Sequence, residues 1–272
     1  DIEKAVLAIG AAKAENADGA FIAGINLEGP FISHAKKGAQ MGESIIAPDY
    51  AVFQKLFALS QNSIKLVDIA PEGEGALEFI KKAKDCCAVS IAHTTADFDL
   101  AKKSFAAGIT HATHLFNAMT GMSHREPGVV GAVFDTDTVY AELVCDGHHI
   151  HPAVVRAAFR LLGDRLCVVS DAMRLCGMEE NETGALGGQE VRVNGGKATL
   201  ADGTIAGSIT NLHHELLNLV AWGIPLPTAV KAMTLTPAKA IGLDDELGSI
   251  KAGKKADLVV LDKDLNIAAV YH

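Results

Sequence analysis

The chain has 272 residues, 49% of them hydrophobic, which is enough for one large buried core, and its five cysteines follow neither a disulfide framework nor a thiolate metal pattern. A net charge of -9 with interspersed signs repels polyanions and excludes extended nucleic-acid binding. No apolar run approaches a membrane span, and the first residues carry no signal-like apolar segment. The reading is therefore cytoplasmic, with reduced thiols and no membrane partner.

In chain order, DIEKAVLAIGAAKAENADG reads as an amphipathic helix leading into a β-branched run, FIAGINL, that ends on Glu28 and is broken by Gly29-Pro30. A helix, PDYAVFQKLFALS, follows with Pro48 at its start. A strand then ends near Pro71, and EGALEFIKKAKD forms the next helix. AVSIA ends on His93. TTADFDLAKKSFAAG is a helix for which Thr94 and Asp97 suggest a capping box and Gly108 a stop. ITHAT ends on His114, a further strand ends near Asp146, HPAVVRAAFRLLG starts at Pro152 and stops at Gly163, and LCVVS ends on Asp171.

The spacing between these strand ends, roughly 20 to 45 residues, suits a strand plus a returning helix. After Asp171, Asn194-Gly195 and Asp202-Gly203 signal hairpins, giving a β excursion at about 185–205. Two helices follow, SITNLHHELLNLVAWG and TPAKAIG with Pro237 in its first turn, then a last strand, ADLVVLD. The expected fold is α/β, a (β/α)8 TIM-like barrel represented by six of its eight units, with the first two strands upstream of a fragment. An open, doubly wound six-stranded sheet is the alternative. Residues 1–241 would form the barrel portion and 242–272 a C-terminal strand segment.

The four residues that close the apolar runs carry the chemistry. A carboxylate and two imidazoles at strand ends, Glu28, His93 and His114, can bind a divalent ion while leaving a position for water, and Asp171 would then carry the proton. Each has an ordinary reading alone: Glu28 as a cap or ion-pair partner, either histidine as packing. Their shared position on one rim favours the metal. His111, three residues before His114, would face the other way and is read as structural. In DGHHIHP an extended backbone would put His149 and His151 on one face and His148 on the other. Arg125, in the loop SHREPG, suits bidentate phosphate binding.

The segments NLEGPF, AHT, THLFNAM, REPG, DGHHIH, SDA and GSIKAGKKADLVVLD resemble the amidohydrolase superfamily and, within it, the N-acetylglucosamine-6-phosphate deacetylases, over essentially the whole chain. The resemblance implies a distorted (β/α)8 barrel with a small β-sandwich, here present as remnants, and a homodimer. It also implies metal ligands at Glu28, His93 and His114, an acid/base aspartate at Asp171, and sugar-phosphate contacts at Ala39, Gln40, Asn117, Ala118, Arg125, Asp146, Gly147, His148, His149, Ile205, Ala206 and Gly207. The implied activity is metal-dependent hydrolysis of an N-acetylhexosamine 6-phosphate in amino-sugar catabolism, with zinc as the first choice of a single divalent ion and iron, cobalt or manganese as alternatives. Competing readings are deacetylation of the galactosamine isomer, another amidohydrolase activity such as cyclic-amide hydrolysis, or an inert sugar-phosphate-binding fragment. The chain departs from the pattern at Ala92, where Gly is expected before His93.

Overall fold

The computed structural model describes residues 2–15 and 19–272. Helix α1 (Ile2–Ala14) precedes strand β1 (Ile25–Leu27). Asp1 and positions 16–18 of the expected first helix lie outside the described residues. Then α2 (Tyr50–Leu59), β2 (Ile64–Ile69), α3 (Ala76–Ala83), β3 (Ala88–Ile91), α4 (Phe98–Ala107), β4 (His111–Ala112), α5 (Gly128–Phe134), β5 (Tyr140–Leu143), α6 (Pro152–Leu162) and β6 (Leu166–Val168) follow. The six strands pair in parallel in the order β1-β2-β3-β4-β5-β6. A doubly wound sheet reverses its strand order at a switch point; a strictly sequential order is that of part of a (β/α)8 barrel.

The register divides the sheet into two faces. Ile69, Ile91, Ala112 and Ala141 are aligned neighbours, all buried, and they join Phe53, Phe79, Phe105 and Phe159 from the helices in one core. One residue out of phase, Asp68, Ser90 and His111 are also aligned neighbours and buried, and Thr113 Oγ1 donates to Asp68 Oδ1 (2.8 Å) and meets Ser90 Oγ at 2.7 Å. One face of the sheet is thus an apolar bed for helices and the other a polar, hydrogen-bonded floor. This departs from the all-apolar strands usual in parallel sheets.

Helix starts follow local chemistry, with two differences from expectation. Asp49 rather than Pro48 opens α2, its carboxylate accepting from Ala51 N and Val52 N. Asp97 alone caps α4 by accepting from Leu100 N, while the Thr94 hydroxyl serves the loop before it. Pro152 at the first turn and Gly163 at the end of α6 stand as expected. Helix α5 was not foreseen, because its start at Pro127-Gly128 reads as loop. Gly128 sits at φ +58°, where a Cβ would lie 2.5 Å from Gly121 O.

Beyond β6 lies an antiparallel meander, β7 (Thr183–Leu186), β8 (Gln189–Asn194) and β9 (Lys197–Thr199), with Gly195 and Gly196 at one turn and an unpredicted first hairpin at Gly187 and Gly188. It has its own small core of Leu175, Val191, Val193, Ala198 and Ala206, joined by Ala39. Helices α7 (Leu212–Ala221), α8 (Leu226–Met233) and α9 (Leu235–Ala240) return to the barrel, and β10 (Leu258–Leu261) pairs with β11 (Ile267–Tyr271) as a two-stranded hairpin. Both α8 and β11 are additions to the expected elements.

The densest packing is aromatic. Phe79 lies 4.9 Å from Phe31 and 5.5 Å from Phe53, centroid to centroid, and all three are essentially buried. Phe31 follows the Glu28 turn, so this cluster anchors the loop after β1 to α2 and α3. Phe79→Ala should lower stability by about 3–5 kcal/mol, measured by urea denaturation, while Phe79→Leu should lose distinctly less.

Candidate metal centre

Three strands deliver one donor each to a single point. Glu28 directly follows β1, and His93 and His114 each stand two residues beyond the ends of β3 and β4. Their ligating atoms all lie within 4.8 Å of one another: His93 Nε2 to Glu28 Oε1 is 2.8 Å, His93 Nε2 to His114 Nε2 is 3.1 Å, and His114 Nε2 to Glu28 Oε1 is 3.7 Å. Ligands about 2.0–2.1 Å from a tetrahedral ion are separated by about 3.3 Å, which is the scale of this triangle.

The hydrogen bonds show why the triangle calls for a cation. His93 Nδ1 lies 2.6 Å from Lys36 O, an acceptor, so Nδ1 carries the hydrogen and in the neutral ring Nε2 presents its lone pair. That lone pair faces a carboxylate oxygen and a second imidazole nitrogen, an arrangement that repels unless positive charge sits between them. The same field acts on each partner. For His114, burial pulls the basicity down, but the nearby carboxylate of Glu28, with Asp171 and Asp68, outweighs it and pushes the pKa up to about 9. Burial works to raise Glu28, but the two imidazoles of His114 and His93 prevail and hold its carboxyl well below the usual range. A proton on His114 here supplies the positive charge that a dication would supply more strongly. The residues present therefore fit a divalent metal.

The ligand-bearing backbone is strained. His93 (φ +43°), His114 (φ +34°) and Asp171 (φ +46°) all adopt the left-handed region that side chains other than Gly rarely occupy. Gly29, at φ +90°, has no Cβ for a different reason: one would sit 2.7 Å from Gln40 Oε1. That closeness lets Gln40 Nε2 donate to Glu28 Oε1 at 3.1 Å. Gln40, taken from the resemblance as a sugar-phosphate contact, is in this structure bonded to the carboxylate of the triangle.

Asp171 is half-buried beside the triangle. Burial, then the Glu28 charge, raise its pKa to about 6, against the opposing pull of His114 and His149. Its carbonyl accepts from Ser208 N at 2.9 Å, and a Cβ on Gly207 would lie 3.4 Å from Asp171 O, while Ile205 and Ala206 are held by Thr199 and Ala198 of the meander. Asn117 N donates to His114 O, and Ala118 O accepts from Thr94 N, so this pair of residues lies between the two histidine loops. Ala39 O accepts from Gln189 of the meander.

The DGHHIH segment is a turn rather than an extended run. Asp146 Oδ1 accepts from His148 N and His149 N, and Asp146 Oδ2 holds His149 Nδ1 at 2.7 Å. Burial works to raise the Asp146 carboxyl, but these bonds keep it below its ordinary range. Gly147 and His148 are exposed, His148 reaching towards Gly196 of the meander, and His151 caps α6 instead of sharing a face with His149. Arg125 is exposed on the loop before α5.

Sequence reasoning missed four buried or bridging carboxylates. Asp68 lies under the triangle, and burial first, then the charges of Glu28 and Glu142, push its carboxyl far above the usual range. Glu142 meets His111 Nε2 at 3.1 Å and the His114 backbone N at 3.4 Å. His111 thus stands on the inward polar face with Asp68 and Ser90, not on the opposite side as expected, because the backbone turns over at His114 (φ +34°). Glu72 bonds the loop after His93, and Glu215 is fully buried on α7. Asp68 and Glu142 interrupt apolar strands, KLVDI and YAELV, at the inward parity; the argument that singled out Asp171 applies to them equally.

A scan with family models places the amidohydrolase family on residues 9–271. The chain belongs to the amidohydrolase family. It is 36% identical over 255 residues to the N-acetylgalactosamine-6-phosphate deacetylase of Escherichia coli O157:H7, covering 93% of this chain and 67% of that protein. It is 38% identical over 252 residues to the N-acetylglucosamine-6-phosphate deacetylase of Bacillus subtilis strain 168, covering 92% of this chain and 63% of that one. Among solved structures, an aspartate-to-alanine mutant of the Mycobacterium smegmatis N-acetyl-D-glucosamine-6-phosphate deacetylase, in complex with N-acetyl-D-glucosamine-6-phosphate, superposes with a TM-score of 0.91 at 34% identity, covering 99% of this chain and 72% of that one. The chain thus spans about two thirds of the length of the curated relatives it matches. No helix among the described residues of this amidohydrolase is long and apolar enough to cross a membrane.

Burial raises the Glu215 carboxyl to about 8, with Asp146 and Asp171 acting the same way against a bond from the Cys145 backbone. Between its unfolded value near 4.5 and about 8 the native state holds the extra proton, so this group's contribution is complete at low pH and is lost as pH rises through that window. Glu215→Gln, a neutral isostere, should therefore gain stability over the parent as pH rises from 5 to 8, by about 1.4 kcal/mol per unit at most. Thermal melts across that range measure it, and an unchanged difference would show that Glu215 is ionised in the fold.

Proposed function

We propose that this amidohydrolase removes the acetyl group from N-acetyl-D-glucosamine 6-phosphate, giving D-glucosamine 6-phosphate and acetate. The observation that carries the reading is the placement of Asp171, with its carboxyl raised towards neutrality, beside a carboxylate and two imidazoles that fit one dication. Its relatives at 36–38% identity are named as deacetylases of amino-sugar phosphates, which supports the substrate class.

A divalent ion held by Glu28, His93 and His114, zinc by preference, supplies Lewis-acid activation of water and of the amide carbonyl. Asp171 takes the proton from the attacking water and hands it to the amide nitrogen, which leaves poorly unless protonated. A carboxyl poised near pH 6 can do both. Asp146 accepts from His149 Nδ1, so that with a second proton on Nε2 the ring donates to a phosphate oxygen. Arg125 and His149 act on binding, with the backbone at Asn117–Ala118 and Ile205–Gly207 lining the same rim. The working form proposed is a homodimer in the cytoplasm, where the five free thiols would stay reduced.

The related deacetylases include one for each epimer, so the galactosamine isomer is the second reading. Acetate release from both epimers, with and without chelator, tests the reading and ranks them. Asp171→Asn should lower turnover about 10²- to 10⁴-fold with little change in binding. Near-parental turnover would remove the assignment. Activity of the parent should fall as pH drops through about 6 or below, because protonated Asp171 cannot accept a proton. N-acetylglucosamine without its phosphate should be a poor substrate, since Arg125 and His149 would be left unpaired; equal rates on the two sugars would contradict their role.

A further inference from the structure

Strands β1, β3 and β4 each end in a donor of the triangle and β6 in Asp171, while β2, between two donor strands, ends without one. The residue in its following loop is Glu72, which neither the fold nor the reaction described above uses. Its carboxylate reaches the two residues that follow His93. Thr94 Oγ1 donates to Oε2, Thr95 N donates to Oε1 at 2.6 Å, and Thr95 Oγ1 donates to Oε1 at 2.9 Å. The Thr94 hydroxyl in turn accepts from Ala96 N at 2.9 Å. Three hydrogen bonds thus converge from two consecutive residues onto one side chain.

What they restrain is the backbone turn that aims the His93 ring. His93 sits at φ +43°, a conformation that persists only where its surroundings impose it. Backbone groups add further restraints: Ser33 N donates to His93 O, Thr94 N donates to Ala118 O, and Lys36 O accepts from the ring. On the far side Thr120 Oγ1 donates to Ala96 O at 2.6 Å, while Glu72 is the side chain that grips the two residues next to His93 and ties the turn to β2, the neighbouring strand.

From this geometry we infer that Glu72 is a positioning residue for the metal centre: it holds the turn after His93 so that the imidazole nitrogen stands ready among the donors before any cation arrives. The inference rests on the metal reading of the Glu28–His93–His114 triangle. Preorganisation of this kind appears as metal affinity and coordination geometry, because a freed turn must be ordered again when the ion binds.

Cobalt(II) titration of the chelator-treated full chain, followed by the visible d–d absorption, tests it without reference to activity. E72A should bind cobalt about 10-fold more weakly than the parent and show an altered absorption envelope. E72Q keeps an acceptor for Thr95, and its amide can donate to the Thr94 hydroxyl, so it should stay within about 3-fold of the parent with a parental spectrum. If E72A does not fold, E72D decides: it keeps the charge but withdraws both oxygens, and the same weakening is expected. Parental affinity and spectrum in E72A or E72D, with only a lowered melting temperature, would make Glu72 a plain loop brace and overturn the inference. A parent chain that takes up no cobalt would overturn the metal reading and this inference together.

Discussion

The structure turns on one electrostatic demand: a carboxylate oxygen and two imidazole nitrogens, all within 3.7 Å of one another, must have positive charge between them. The hydrogen bond from His93 Nδ1 to Lys36 O forces the lone pair of that ring into the triangle, so the ring cannot itself supply the hydrogen there. Much else in the molecule serves to hold this arrangement. Short strands end where the donors must stand, three site residues accept left-handed backbone, and Gln40 and Asp68 lie against or beneath the donors.

The division of the sheet into an apolar face and a polar face explains how one scaffold does this. The helix-facing residues supply hydrophobic stabilisation at the usual scale for buried aliphatic side chains. The opposite face carries Asp68, Ser90, His111, Thr113 and Glu142, which are satisfied largely by one another. Such a network is costly if broken, because each member left unpaired in a low-dielectric interior loses the full value of its bond. It also sets the local field. The raised carboxyl of Asp171 arises from burial and from Glu28, so the acid/base group and the ligand set are tuned together.

Much of this was legible in the residues. Six apolar runs with helical spacers became six parallel strands in sequential order, and three of the residues that follow them, Glu28, His93 and His114, bring donor atoms within 4.8 Å of one another. What was not legible has physical causes. Helix α5 was hidden because Pro127-Gly128 looks like a breaker, and the DGHHIH histidines were assigned faces from a strand period although Asp146 folds them into a turn. Thr94 was read as a cap when its hydroxyl belongs to the Glu72 bridge. Glu72, and the bond that ties Gln40 to Glu28, leave no trace in a local period because each is a contact between distant segments.

The most direct measurement is anomalous diffraction from a crystal of the full chain soaked in zinc. The account predicts a single strong peak among the three donors, about 2.0–2.2 Å from His93 Nε2, His114 Nε2 and a Glu28 oxygen, with Asp171 near enough to share a water with the ion. An empty triangle at saturating zinc, or an ion bound by other residues, would contradict it.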